Sequence, residues 1–134
     1  MAQLGARLKL HVQASTNSNT VTGYGHDYVE INRIRHVDPL ILAGEGPVRA
    51  WRAAGFESLR AEDFAAVLEL EPELVLIGTG ARQRFPAAAL LRPFIDGGVG
   101  FEVMDTAAAC RTYNILMGEG RHVVAALLLP GDGS

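Results

Sequence analysis

The sequence predicts an α/β domain with a β-rich N-terminal half and a β-α-β-α-β C-terminal half. Three observations carry that prediction. Apolar runs at residues 74–77 and 123–129 and a further strand-like segment at 99–104 are separated by stretches of helical periodicity. The first half instead holds several short strand-like runs bounded by turn residues, with no convincing helix. A chain of 134 residues, 49% apolar, fits one domain and can bury a core without disulfide or metal staples.

The first half is read as follows. Residues 7–13 alternate, with Leu8, Leu10 and Val12 on one face, as in a half-buried strand. Residues 14–19 are a Ser/Thr/Asn cluster and read as a loop. Residues 21–24 and 28–35 read as strands around a turn at Gly25-His26-Asp27. Asp38-Pro39 is a turn, residues 40–43 a short buried strand, and Gly44-Glu45-Gly46-Pro47 a second turn before an extended piece through Trp51. Together these predict a meander that covers or extends the sheet of the second half.

Helical character begins near Arg60. Residues 63–70 carry Phe64, Val67 and Leu68 at helical spacing, and Pro72 stops them. The unbroken apolar run 74–77 suits a central strand covered on both faces, closed by Gly78-Thr79-Gly80. Pro86 is expected at the first position of the next helix. Leu90, Leu91 and Phe94 form its stripe, Pro93 kinks or splits it, and Gly97-Gly98 ends it. After the strand 99–104, Asp105 or Thr106 is the expected N-cap. That helix runs to Met117, with Gly118 as its C-cap. The last strand, 123–129, is stopped by Pro130-Gly131. Residues 1–134 are expected to form one domain, with 1–6 and 131–134 as flexible ends. Right-handed βαβ connections make the strands of the second half parallel.

Composition narrows function. A net charge of −3 argues against nucleic-acid binding, which needs a basic footprint. The cations are eleven arginines and Lys9, and arginine suits bidentate carboxylate or phosphate recognition. Cys110 is the single cysteine, which excludes an internal disulfide and fits a reducing compartment. The first nine residues lack a secretory pattern, and the longest apolar run is far short of a membrane span. The expected location is the cytoplasm, with no transmembrane segment. His11, His26, His36 and His122 show no metal-ligand spacing, so no metal is expected. Neither a phosphate-binding lysine loop nor a nucleophile elbow occurs.

The strongest candidate site pairs the loops Gly78-Thr79-Gly80 and Asp105-Thr106, each between a strand and a helix. If their strands are parallel neighbours, both loops emerge at one sheet edge, where open α/β sheets bind ligands. Helix N-termini there offer N–H groups to an anion, and Arg82 and Arg84 could supply countercharge. The bland alternative is a tight turn. The glycines resemble a dinucleotide fingerprint only in part: Gln83 replaces its third glycine and Pro86 delays the helix. No cofactor is expected. At 100° per residue, Ala109, Cys110, Tyr113, Leu116 and Met117 share the buried side of their helix, so Cys110 is read as structural rather than nucleophilic. Arg111 and Asn114 lie on the opposite flank and could face a cleft, a partner or solvent. Glu119 and Arg121 could form a charge cluster with Arg111. Trp51, between Arg49 and Arg52, is either an interface anchor or a core tryptophan flanked by solvated arginines.

The stretch from Glu102 to Arg121, EVMDTAAACRTYNILMGEGR, is distinctive. With Leu-Val-Leu-Ile-Gly-Thr-Gly at 74–80 and Pro-Val-Arg-Ala-Trp at 47–51, it resembles a family of small uncharacterised proteins. That family includes the mitochondrial respiratory complex I assembly-factor proteins and their bacterial and archaeal relatives. The resemblance covers about residues 21–130. It implies a three-layer fold with a mixed central sheet, and so at least one reversal among strands that connection rules alone make parallel. It implies no agreed reaction, and for the mitochondrial members a role in assembling a membrane complex.

Two classes of function follow. One is a non-enzymatic, assembly-factor-like interaction module, with a protein partner or self-association. The other is a small-molecule protein or enzyme holding an anionic ligand with the glycine loop, Thr106, Arg111 and Asn114. The first is preferred, because no complete catalytic constellation is present.

Overall fold

A computed structural model describes residues 18–134; the strand expected at 7–13 and most of the loop at 14–19 lie outside the described residues. Two sheets form. β1 (Val21–Gly25), β2 (Tyr28–Ile31) and β3 (Ile34–His36) make an antiparallel meander. The run expected as one strand at 28–35 is broken at Asn32 and Arg33, whose φ of 53° and 71° make a tight left-handed turn. That turn matches the twist of a two-stranded ribbon.

The main sheet has five strands in the order β5-β4-β8-β6-β7. They are β4 (Leu40–Ala43), β5 (Arg49–Ala50), β6 (Leu74–Gly78), β7 (Gly100–Met104) and β8 (Val123–Leu127). β6 pairs in parallel with both β7 and β8, so the whole C-terminal unit is parallel after all. The reversal that makes the sheet mixed comes from the first half: β4 runs antiparallel to β8, and β5 to β4. Part of the expected meander therefore extends the main sheet, and the rest covers it.

Helices α1 (Ala61–Leu68) and α2 (Arg92–Gly97) lie on one face, and α3 (Thr106–Gly118) on the other. The topology requires this of α2 and α3. β7 flanks β6 on one side and β8 on the other, so two right-handed crossovers must deposit their helices on opposite faces. Alternate residues of the central strands feed the two cores. Ile41, Val75, Ile77, Val124 and Ala126 pack with Phe64 and Phe94. Leu42, Leu76, Ala125 and Leu127 pack with Ala109, Cys110, Tyr113, Val29 and Ile31. With both faces covered, the central strands are apolar throughout.

Several boundaries differ from the expected ones for local reasons. α1 begins at Ala61, beside the expected start near Arg60, where Asp63 accepts a hydrogen bond from the Arg60 N–H (2.8 Å) and caps from inside the first turn, but it ends at Leu68, two residues short of the expected Leu70. Pro86 does not open a helix. The chain stays extended to a short 3₁₀ turn (Ala88–Leu91) that leads into α2, and Pro93 sits in the first turn of α2, where no N–H is needed. Asp105, not Thr106, caps α3, accepting from Ala108 N–H (2.8 Å). Gly118 stays helical, and Gly120 (φ 82°) takes the left-handed position. Hydrogen bonds from Gly120 to Met117 O and from Arg121 to Leu116 O close that helix end.

Candidate functional site

The loop after β6 leads to α2 on one face, and the loop after β7 leads to α3 on the other. The crevice between diverging loops is where open parallel sheets place ligands. Gly78, Thr79, Gly80 and Thr106 meet there, and all four are buried. The strands approach so closely that a Cβ on Gly78 would stand 2.9 Å from both Thr106 Oγ1 and Leu127 Cδ2. Backbone bonds join the loops directly, Thr79 N–H to Met104 O and Thr106 N–H to Gly80 O, each 2.9 Å. Thr106 Oγ1 accepts from Gly80 N–H (2.8 Å) and donates to Leu128 O (2.9 Å). Thr79 Oγ1 donates to Arg82 O (2.8 Å) and accepts from Arg84 N–H (3.1 Å). The N–H groups of Thr79, Gly80, Arg84 and Thr106 are thus committed to the protein itself.

The C-terminal turn completes the closure. Residues 131–134, expected as a flexible end, fold back over the crevice. Asp132 O accepts from Ala81 N–H (2.8 Å), and its carboxylate meets the Arg84 guanidinium (2.7 Å) and Phe56 N–H (3.3 Å). Arg84 also donates to Thr79 O (2.7 Å) and stacks 4.3 Å above the Phe56 ring. Gly131 N–H donates to His26 O (2.7 Å), and the His26 ring lies 3.0 Å from Ser134 Oγ. Gly80, at φ 99°, has Asp132 O where a Cβ would be. Sequence reasoning missed Asp132, Phe56 and His26. Within Pro130-Gly131-Asp132-Gly133 the aspartate looks like an ordinary turn residue, and no local pattern couples it to Arg84.

The other expected site residues are drawn elsewhere. Arg82 is exposed. Arg111 donates to the Tyr24 hydroxyl (2.8 Å). The Asn114 amide acts as a surrogate strand, accepting from Val21 N–H (3.0 Å) and donating to Val21 O (2.8 Å). Both side chains therefore fasten β1 to α3. Arg121 pairs with Glu73 (3.0 Å), so the expected Glu119–Arg121–Arg111 cluster does not form. The bend at Gly120 carries Arg121 toward β6.

Cys110 is 1% exposed, and burial pushes its thiol up to about 12, with the Arg111 charge lowering it and Asp105 raising it by lesser amounts. A thiol held protonated is a poor nucleophile. Burial likewise raises the Tyr113 hydroxyl, which donates to Asn19 O (2.9 Å). Trp51 is not a surface anchor. It is 4% exposed, its indole donates to Asp63 O (2.9 Å) and its ring meets Phe64 edge-on at 5.8 Å. Its N–H extends the β4–β5 ladder to Pro39 O, which aims the ring at α1 and leaves Arg49 and Arg52 outside. Among the described residues, no group of three His, Cys, Asp or Glu side chains is placed to hold a metal ion, and no helix is long and apolar enough to cross a membrane.

Comparison with known proteins agrees with this architecture. The chain is 32% identical over 130 residues to the Bos taurus protein named NADH dehydrogenase [ubiquinone] 1 alpha subcomplex assembly factor 3, spanning 96% of this chain and 70% of that one. A Bordetella parapertussis crystal structure superposes with a TM-score of 0.80 at 46% identity, covering 84% of this chain and 96% of that one. A Bordetella pertussis solution structure, described as a Mth938-like domain, gives 0.75 at 39% identity over 85% and 87%. A family model described as "Protein of unknown function (DUF498/DUF598)" matches residues 21–128, and with these relatives it establishes that the chain belongs to that family.

Proposed function

We propose that this protein is a non-enzymatic interaction module with an assembly-factor-like role in the cytoplasm. One observation carries the reading. The crevice where the topology favours a ligand is occupied by the chain's own Asp132, and the N–H groups of Gly80, Ala81 and Thr106 are bonded within the protein. Large apolar side chains meanwhile stand in solvent: Ile34, Val37, Phe85, Ile95 and Ile115 are each more than half exposed. The assembly-factor name of the Bos taurus relative supports a protein partner. A lone thiol buried in the core suits a reducing compartment.

The test combines co-purification of the tagged chain from its host, cell fractionation, and a thermal-shift screen against anionic metabolites and nucleotides. A stoichiometric protein partner in the soluble fraction and a flat ligand screen are expected. Saturable stabilisation by a small anion, with no partner recovered, would overturn the reading.

One arrangement favours a second reading. The Arg84 guanidinium and the Phe56 N–H already hold a carboxylate, and Ala81 N–H holds the adjoining carbonyl. An anionic ligand that displaces Asp132 would inherit those donors. Asp132→Asn should then raise its affinity, and Arg84→Ala should abolish it.

A further inference from the structure

Among the described residues, the chain's own groups leave an edge open at the margin between the two sheets. β5 ends the main sheet and β3 ends the meander. A groove of about 310 Å³ lies between them, lined among others by His36, Val37, Leu40, Val48 and Arg49. The β2–β3 register pairs Ile31 with Ile34 and Val29 with His36, and cross-strand partners share a face. Val29 and Ile31 are buried on that face, yet Ile34 is 63% exposed. The meander therefore overhangs the sheet beneath it by about one strand.

The backbone of β5 is suited to fill that gap. Trp51 N–H bonds to Pro39 O, and Ala50 stands opposite Leu40. In an antiparallel ladder the alternate residues, here Val48 and Ala50, turn their N–H and C=O groups outward. Val48 packs with the core under the meander, whereas Arg49 shares a face with Ile41 on the other side. An incoming strand would meet apolar surface on one face and an arginine on the other. Two arginines, Arg35 and Arg49, line the groove on a chain whose net charge is −3. Neither is ion-paired among the described residues, and Arg35 stacks on the Tyr28 ring at 3.9 Å. Asp38 is the one carboxylate among the described lining residues. Cations on an open edge repel basic strands and admit acidic ones.

We propose that this groove receives an extended segment of a protein partner, alternating acidic and apolar residues, which adds beside β5 as a sixth strand. The proposal rests on the interaction-module reading and names its surface. The experiment is an NMR titration of the whole chain with the synthetic peptide Asp-Val-Glu-Ile-Asp-Val-Glu, and with Lys-Val-Lys-Ile-Lys-Val-Lys as control. The acidic peptide should saturate, shifting the amides of Ile34, Val48 and Ala50, and the basic one should not. Arg49→Glu should weaken the acidic peptide at least tenfold and admit the basic one. Ile34→Asp should weaken the acidic peptide similarly; both sites are exposed, so unchanged thermal melts verify folding. Equal affinity for wild type and both variants, shifts confined to other surfaces, or no saturation at millimolar peptide overturns the proposal. A cellular partner retained in full by both variants overturns the groove alone. Absence of any partner overturns the interaction reading beneath it.

Discussion

Two arginines, Arg84 and Arg49, show how differently this molecule treats the ends of its strands and the edge of its sheet. Arg84 is enclosed by Asp132, Thr79 and the Phe56 ring. Arg49 stands in solvent with no partner among the described residues. The first lies at the strand ends that topology marks for ligands, and the second at a lateral edge that topology marks for nothing. Among the described residues, the fold thus seals its conventional site and leaves a margin open. A place in a fold confers a function only when its polar groups are free to serve one.

The sealed region should be intolerant of change, and its glycine most of all. Gly80→Ala adds a Cβ at φ 99° and drives it into the Asp132 carbonyl. Left-handed strain plus displacement of the C-terminal turn should cost at least about 3 kcal/mol, read as a lowered urea midpoint. Thr106→Val deprives a buried N–H and a buried C=O of their common partner, at roughly 2–4 kcal/mol, while Thr106→Ser should recover most of it. If both variants melt with the wild type, the crevice is not closed as described. Asp132→Asn is a milder probe. The pair is 14% and 26% exposed, so the loss should be about 1–2 kcal/mol once solvent screening discounts it.

Alkaline titration probes the interior beside that seal. The Cys110 thiol titrates near 9.0 when unfolded and near 12 when folded. Below pH 9 it is protonated in both states and contributes no pH dependence. Between 9 and 12 the unfolded chain alone releases the proton, so stability should fall as pH rises, by up to about 1.4 kcal/mol per unit. Cys110→Ala should flatten this slope by one group and leave the part due to Tyr113. An unchanged slope in the variant, or rapid thiol labelling of the native protein at pH 8, would contradict the burial.

What could be read from the sequence follows how local its causes are. The strands at 74–78 and 100–104 and the helix after Asp105 were legible, because apolar runs, glycines and a capping aspartate act within a few residues. The buried side of Cys110 followed from helical spacing alone. The closure was not legible, since Arg84 and Asp132 are 48 residues apart and neither stands out locally. Helical spacing places Asn114 on a flank, but its pairing with Val21 spans 93 positions. The position of the glycine loop is legible from its strand and its occupation by Asp132 is not. Trp51 offered two readings, and only the ladder contact to Pro39 decides between them.

The open margin should show the smallest stability effects. Arg49→Glu and Ile34→Asp alter exposed side chains that make no hydrogen bond or ion pair among the described residues, so each should change stability by less than about 0.5 kcal/mol. The exposed Arg121–Glu73 pair sets a reference, because Arg121→Ala should also fall within about 0.5 kcal/mol and fade in high salt. Near-neutral stability in the groove variants, alongside a loss of acidic-peptide binding, would separate a surface kept for a partner from one kept for folding. A large destabilisation at Arg49 would instead place it in an intramolecular role, and the contrast with Arg84 would collapse.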